Sequence, residues 1–171
     1  MDRITKEEYY LNIARQVAAR STCLRRKYGA VIVKNDQIIS TGYCGAPRNT
    51  KNCSDIGICV RQELKIKHGE HYEWCRSVHA EQNAIIHASR LDMLDSTLYL
   101  LGLDAATDEV LSVSEPCKIC KRLIINAGIA TVVTYVTGQQ INRIDVNNVW
   151  VESNINEITQ EDGKWVSLIN R

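Results

Sequence analysis

Two segments, His79-Ala80-Glu81 and Pro116-Cys117-Lys118-Ile119-Cys120, restrict what this chain can fold into more than any others. One imidazole and two thiolates supply three tetrahedral ligands and leave a fourth position on a zinc ion open, which is the pattern of a catalytic rather than a closed structural site. For the three ligands to meet, two helix starts must point at one place. Pro116 favours a helix start, and Cys117 and Cys120, at i and i+3, share one face of the helix that follows. On an ideal helix, residues at i and i+2 lie about 200° apart, so His79 and Glu81 converge only near the helix end. Ala84, Ile85 and Ala88 fall on the side of Glu81, which makes that side the sheet-facing one and aims the carboxylate inward. The positive ends of the two helices would favour thiolate over thiol.

The remaining pattern supplies the scaffold. Thr5-Lys6-Glu7-Glu8 reads as a capping box, with Tyr10, Ile13, Ala14 and Val17 at helical spacing behind it, so a helix is expected near 6–20. The β-branched runs 29–34 and 37–43, separated by Asn35-Asp36, predict a hairpin. Residues 44–75 show no sustained period beyond a short helix around Val60 to Lys67, and so long an irregular stretch needs a staple or a function. A helix over 79–90, a strand over 97–103, a polar loop over 104–115, a helix over 117–127 stopped by Gly128 and a strand over 129–136 follow. This alternation predicts a three-layer α/β domain. The tail from about 137 is rich in Asn and Asp, with two short apolar pieces at 148–151 and 165–168.

At 171 residues the chain fits one domain over 1–171, with a core of about 7–136 and an extension of about 137–171. A net charge of +1 with interleaved signs gives no basic stripe, and the Tyr and Trp residues are not interleaved with basic clusters. A small substrate is therefore favoured over nucleic acid. No apolar run approaches the roughly 18 to 20 residues of a membrane span, and the N-terminus lacks the apolar core of a secretory signal, so a cytoplasmic protein is expected. The seven cysteines are then read as metal ligands or buried thiols rather than as a disulfide framework.

The His-x-Glu and Pro-Cys-x-x-Cys pairing is the signature of zinc deaminases of nucleobases. With His79, Cys117 and Cys120 on the metal, Glu81 is left as the catalytic acid and base. It takes a proton from the water that the metal acidifies, protonates the pyrimidine N3, and assists departure of the C4 amine as ammonia.

The chain resembles the deoxycytidylate (dCMP) deaminase family through Ser21-Thr22-Cys23-Leu24-Arg25-Arg26, Gly29-Ala30-Val31-Ile32-Val33, Ser40-Thr41-Gly42-Tyr43-Cys44-Gly45-Ala46-Pro47, His79 to Ile86, Pro116 to Cys120 and Ala127-Gly128-Ile129. The resemblance covers residues 7 to 136. It implies a five-stranded mixed sheet between helices in an α/β/α cytidine-deaminase-like fold, a homo-oligomer that is commonly hexameric, and hydrolysis of dCMP to dUMP and ammonia. It also implies a second, structural zinc on Cys23, Cys53, Cys59 and Cys75, with His68 and His71 as substitute ligands, which would staple the irregular stretch to the segment leading into His79. Scattered buried thiols are the plain alternative.

For the nucleotide phosphate, Ala88-Ser89-Arg90 matches the family's Ala-Ala-Arg, which points to Arg90, on the helical face of His79, Asn83 and His87. Arg25, Arg26, Arg48 and Arg76 are further candidates. Cys44 departs from the family, which usually has Asn there, contacting the sugar, and a thiol lacks the amide's paired donor and acceptor. Either another group recognises the sugar or the preferred substrate is shifted. Asn49 stands where many members have a Gly linked to regulation by dCTP. The rivals to dCMP deamination are deamination of another cytosine nucleoside, nucleotide or base, and a zinc-stabilised binding module without catalysis.

Overall fold

The computed structural model describes residues 3–67, 69–137 and 140–169. Helix α1, Lys6–Ala18, starts at Thr5, whose side chain accepts the Glu8 N–H while the Glu8 carboxylate accepts the Thr5 N–H, so the capping box forms. Strands β1, Arg26–Lys34, and β2, Gln37–Tyr43, make the expected hairpin. Its two turn residues, Asn35 and Asp36, have φ of 51° and 60°, the left-handed pair that a type I′ turn requires. Among the described residues the irregular stretch holds the single turns α2, Cys53–Ile56, and α3, Val60–Glu63, and a 3-10 turn at Tyr72–Trp74.

The helix expected over 79–90 is two pieces, α4, Ala80–Ile86, and α5, Arg90–Met93. Ser89 separates them because its side chain accepts the Asp92 N–H and caps a fresh start. Strand β3, Thr97–Asp104, helix α6, Lys118–Ala127, and strand β4, Thr131–Val136, follow, with Gly128 ending α6 at φ 81°. The tail contributes a fifth sheet strand, β5, Gln140–Asp145, then a π-helical turn at Asn147–Val151 and a separate hairpin of β6, Ile158–Glu161, and β7, Lys164–Ser167.

The strand order is β2-β1-β3-β4-β5, with β3 and β4 parallel and every other pair antiparallel. Helices cover both faces, so the central strands bury both sets of alternating side chains. Ala30, Ile32, Leu98, Leu100 and Val132 pack under α4 and α6, while Val31, Val33, Tyr99, Leu101 and Val133 pack under α1. The α/β/α layering with a mixed five-stranded sheet agrees with the expectation.

One close approach fixes the height of α4 above the sheet. A Cβ on Gly42 of β2 would lie 2.2 Å from the Ala80 carbonyl oxygen and 2.3 Å from the Ala84 nitrogen. Only glycine lets strand and helix backbones meet at this distance. The buried Ser40 hydroxyl donates to the Ala84 carbonyl at 2.7 Å on the same helix, so β2 both spaces and tethers the element that carries Glu81.

Candidate active site and metal centre

His79 is the residue before α4, with extended backbone at φ −71° and ψ 158°, and its N–H donates to the Gln82 Oε1 at 2.8 Å. Cys117 holds the same position before α6, at φ −67° and ψ 166°. Because His79 stands outside its helix, the 200° separation from Glu81 does not apply, and imidazole and carboxylate both reach the cleft. The His79 Nδ1 lies 3.5 Å from the Cys117 Sγ and 3.4 Å from the Cys120 Sγ. Nitrogen and sulfur ligands about 2.0 and 2.3 Å from one tetrahedral ion are themselves about 3.5 Å apart, so this donor set has zinc's spacing as well as its chemistry. Among the described residues, this is the one group of three or more such ligand atoms lying within 4.8 Å of one another.

The charges of these groups are tied together. A hydrogen bond from Cys120 holds the Cys117 thiol at about 4, with His79 adding to the effect against the opposing burial. Cys120, the donor, is pushed up by that bond and by burial. Burial would lower His79, but its hydrogen bonds to Cys117 and Cys75 and the charges of Glu81 and Cys117 carry it up to about 10. Thiolate, thiol and imidazolium thus share protons that an incoming metal would displace. Glu81 is buried in the first turn of α4 beside Cys120, and burial raises its carboxyl while the His79 charge opposes the rise.

His79, Glu81 and Cys117 line a cavity of about 540 Å³, with Tyr28, Arg61 and Tyr72 also on it and Cys120 buried behind. The Tyr72 ring meets the His79 ring edge-on at 5.2 Å, and the Arg61 guanidinium stacks over Tyr72 at 4.6 Å. Burial pushes the Tyr28 phenol up to about 12, against the pull of Arg26.

The other expected residues are distributed unevenly. Cys44 lines the cavity, but its buried Sγ already meets the Ser21 Oγ at 2.8 Å, the Tyr28 N–H at 3.2 Å and the Arg26 carbonyl at 3.4 Å. Asn83, His87, Arg48 and Arg90 do not line it. Asn83 donates to the Tyr43 carbonyl at 2.7 Å, Arg48 meets His87 at 3.4 Å, and Arg90 donates to the Asn126 carbonyl at 3.2 Å. Cys23, Cys59 and Cys75 line the cavity and Cys53 is buried, its thiol raised by that burial and then by the three neighbouring cysteines. Their sulfurs include no three within 4.8 Å of one another. His71 pairs with Glu73 at 2.8 Å, and His68 lies outside the described residues. Tyr28, Arg61 and Tyr72 carry no signal in the sequence, since Tyr28 looks like any strand aromatic and the other two fall where no periodicity assigns a face.

Residues 4–136 match the family model for the cytidine and deoxycytidylate deaminase zinc-binding region. The deoxycytidylate deaminase of Mycobacterium phage D29 is 38% identical over 138 residues, covering 78% of this chain and 96% of that protein. That of Schizosaccharomyces pombe is 31% identical over 131 residues, covering 77% of this chain and 37% of the longer yeast protein. Among solved structures, the dCMP deaminase of cyanophage S-TIM5 in complex with dCMP and dUMP is similar at a TM-score of 0.50 and 25% identity, covering 77% of this chain and 83% of that one. The cytidine deaminase of Burkholderia pseudomallei, at 14% identity and a TM-score of 0.54 over 85% of this chain and 95% of its own, shares the fold. A chain with this zinc-ligand set on this fold is a zinc-dependent deaminase, and it belongs to the cytidine and deoxycytidylate deaminase family.

Proposed function

We propose that the chain hydrolyses dCMP to dUMP and ammonia with one zinc held by His79, Cys117 and Cys120. The observation that carries this reading is the buried Glu81 carboxyl on the same cavity as His79 and Cys117, two of the three residues whose ligand atoms cluster with the buried Cys120. The deoxycytidylate deaminase relatives and the dCMP- and dUMP-bound cyanophage structure support the choice of substrate. Zinc supplies Lewis acidity that brings the pKa of a water towards about 7. Glu81 does the proton work. Its carboxylate takes a proton from the attacking water, passes it to the pyrimidine N3 as the water oxygen bonds C4, and returns the second proton to the amine as the C4–N bond breaks. Burial raises the Glu81 carboxyl, which favours its holding the proton between the two transfers. Tyr72, edge-on to His79, forms an aromatic wall beside the place the base occupies.

A second, structural zinc on Cys23, Cys53, Cys59 and Cys75 belongs to the same proposal. The mutual approach of these thiols supports it: burial and the nearby Cys23, Cys59 and Cys75 raise the Cys53 thiol. Metal uptake would draw the four sulfurs together. The chain is further read as one domain of a cytoplasmic homo-oligomer. The free thiols and the exposed Ile86, Leu91, Ile119 and Leu123 support that reading, and no helix among the described residues is long and apolar enough to cross a membrane.

The test is ammonia release from dCMP, CMP, deoxycytidine, cytidine, dCTP and cytosine, with metal counted per chain. Preference for dCMP is expected, with two zinc ions per chain. Silence on dCMP with turnover of another substrate would shift the specificity, and one zinc per chain would remove the four-cysteine site.

A further inference from the structure

We infer that Arg61, in the irregular segment between β2 and α4, is the phosphate-binding, specificity-determining residue of the cavity. This inference rests on the dCMP reading and names the group that recognises the nucleotide. Arg61 is only 5% exposed, yet among the described residues no carboxylate lies within ion-pair distance of it. Its guanidinium donates from Nη1 to the Glu70 carbonyl and from Nη2 to the Lys67 carbonyl at 2.8 Å, so neutral backbone oxygens orient it, and Glu73, whose carboxyl its charge helps to lower, makes no direct ion pair with it. Burying an arginine without a counter-ion is costly, and the cost is offset when an anionic ligand completes the pair.

The geometry places that anion on the substrate. Arg61 lines the same cavity as His79, Glu81 and Cys117. The ring contacts of 4.6 and 5.2 Å through Tyr72 put its guanidinium carbon within about 10 Å of the His79 ring centre, a separation that a nucleotide bridges from the reacting base to its phosphate. Stacking on Tyr72 and two carbonyl anchors fix the planar fork before substrate arrives, as bidentate phosphate recognition requires. Other cations stand on the same cavity, opposite in sign to the Glu81 and Cys117 of the metal end. Arg25, Arg26 and Lys118 also line the cavity without a carboxylate partner among the described residues, while Glu115 is engaged by Lys121 at 3.4 Å. Such a cleft concentrates a phosphorylated substrate over its nucleoside.

The experiment compares kcat/KM for dCMP and deoxycytidine in wild type and Arg61→Gln, with melting temperature and zinc content alongside. Arg61→Gln is expected to lose about 10- to 100-fold on dCMP, the effect of removing a hydrogen bond to a charged group, with deoxycytidine unchanged within about twofold. Equal losses on both substrates mean that Arg61 only holds the 61–70 segment, and an unchanged dCMP preference removes Arg61 from recognition. Either result overturns the inference. If Arg61→Gln does not fold, Arg61→Lys decides: it keeps the cation but not the fork, and a raised KM for dCMP at unchanged kcat is expected, whereas an unchanged KM contradicts the assignment. A wild type that turns over deoxycytidine as well as dCMP would instead refute the nucleotide reading itself, and this inference with it.

Discussion

Replacing Gly42 with alanine should damage the active site without touching any residue in it. The new Cβ would stand 2.2 Å from the Ala80 oxygen, 2.3 Å from the Ala84 nitrogen and 2.9 Å from the Asn83 carbonyl carbon. All three are backbone atoms of α4, so no side chain can swing aside, and helix and strand must part by about 1 Å to restore ordinary contact. Overpacking of this kind costs about 1 to 3 kcal/mol, and the backbone obstacle puts Gly42→Ala at the upper end. For a chain of this size, that lowers the melting temperature by about 6 to 12 °C. Ala80 sits between His79 and Glu81, so the displacement moves proton carrier against metal ligand, and a 1 Å misplacement can cost about 100-fold in rate. Thermal unfolding, zinc content and kcat on dCMP should be measured together. Gly45→Ala is the control, since its Cβ would meet only side chains at first approach, the Thr22 Oγ1 at 3.1 Å and the Tyr43 Cε2 at 3.7 Å. Gly42→Ala melting within about 2 °C of wild type with an unchanged kcat would refute this account of how α4 is positioned.

Other perturbations have defined outcomes. Ile124→Ala empties a fully buried position between α6 and the sheet and should cost about 2 to 5 kcal/mol by urea unfolding, against a prediction of none if the α6 face were loosely packed. Thr134→Val removes a fully buried hydroxyl that donates to the Ser114 carbonyl at 2.8 Å, and should cost about 1 to 3 kcal/mol because that carbonyl is left dry and unpaired. The Glu8 carboxyl is held below its ordinary value by the Thr5 backbone N–H and hydroxyl, so it stabilises the fold above the unfolded-state value and loses that contribution as pH falls through the folded-state one. Wild type and Glu8→Gln should therefore differ in melting temperature at pH 7 and converge in acid. A difference that persisted or grew in acid would contradict the capping role.

The sequence was legible where local chemistry and tertiary need agree. Asn35-Asp36 announces a hairpin because those residues tolerate the positive φ that they adopt, and Pro116 and Gly128 bracket α6 within two residues of its bounds. The metal ligands could be found because tetrahedral coordination restricts residue type and spacing at once. Arg90 shows the opposite case. Reading 79–90 as one helix put Arg90 on the face of His79, but the Ser89 cap breaks the helix and turns Arg90 towards the Asn126 carbonyl. Strand β5 left no periodic trace because Ile144 is its one buried residue, so as an edge strand it carries almost no apolar alternation. Arg61 and Tyr72 could not be placed because an irregular segment has no period from which a facing direction follows.

The central claim is that Glu81 moves protons and does not hold the metal. Conversion of dCMP to dUMP should be followed chromatographically in wild type and Glu81→Gln, with zinc measured on the same samples. The account predicts equal zinc and melting behaviour, with turnover reduced by at least about 100-fold in the variant. Zinc lost along with activity would make Glu81 a ligand, and zinc and activity both retained would remove it from the reaction.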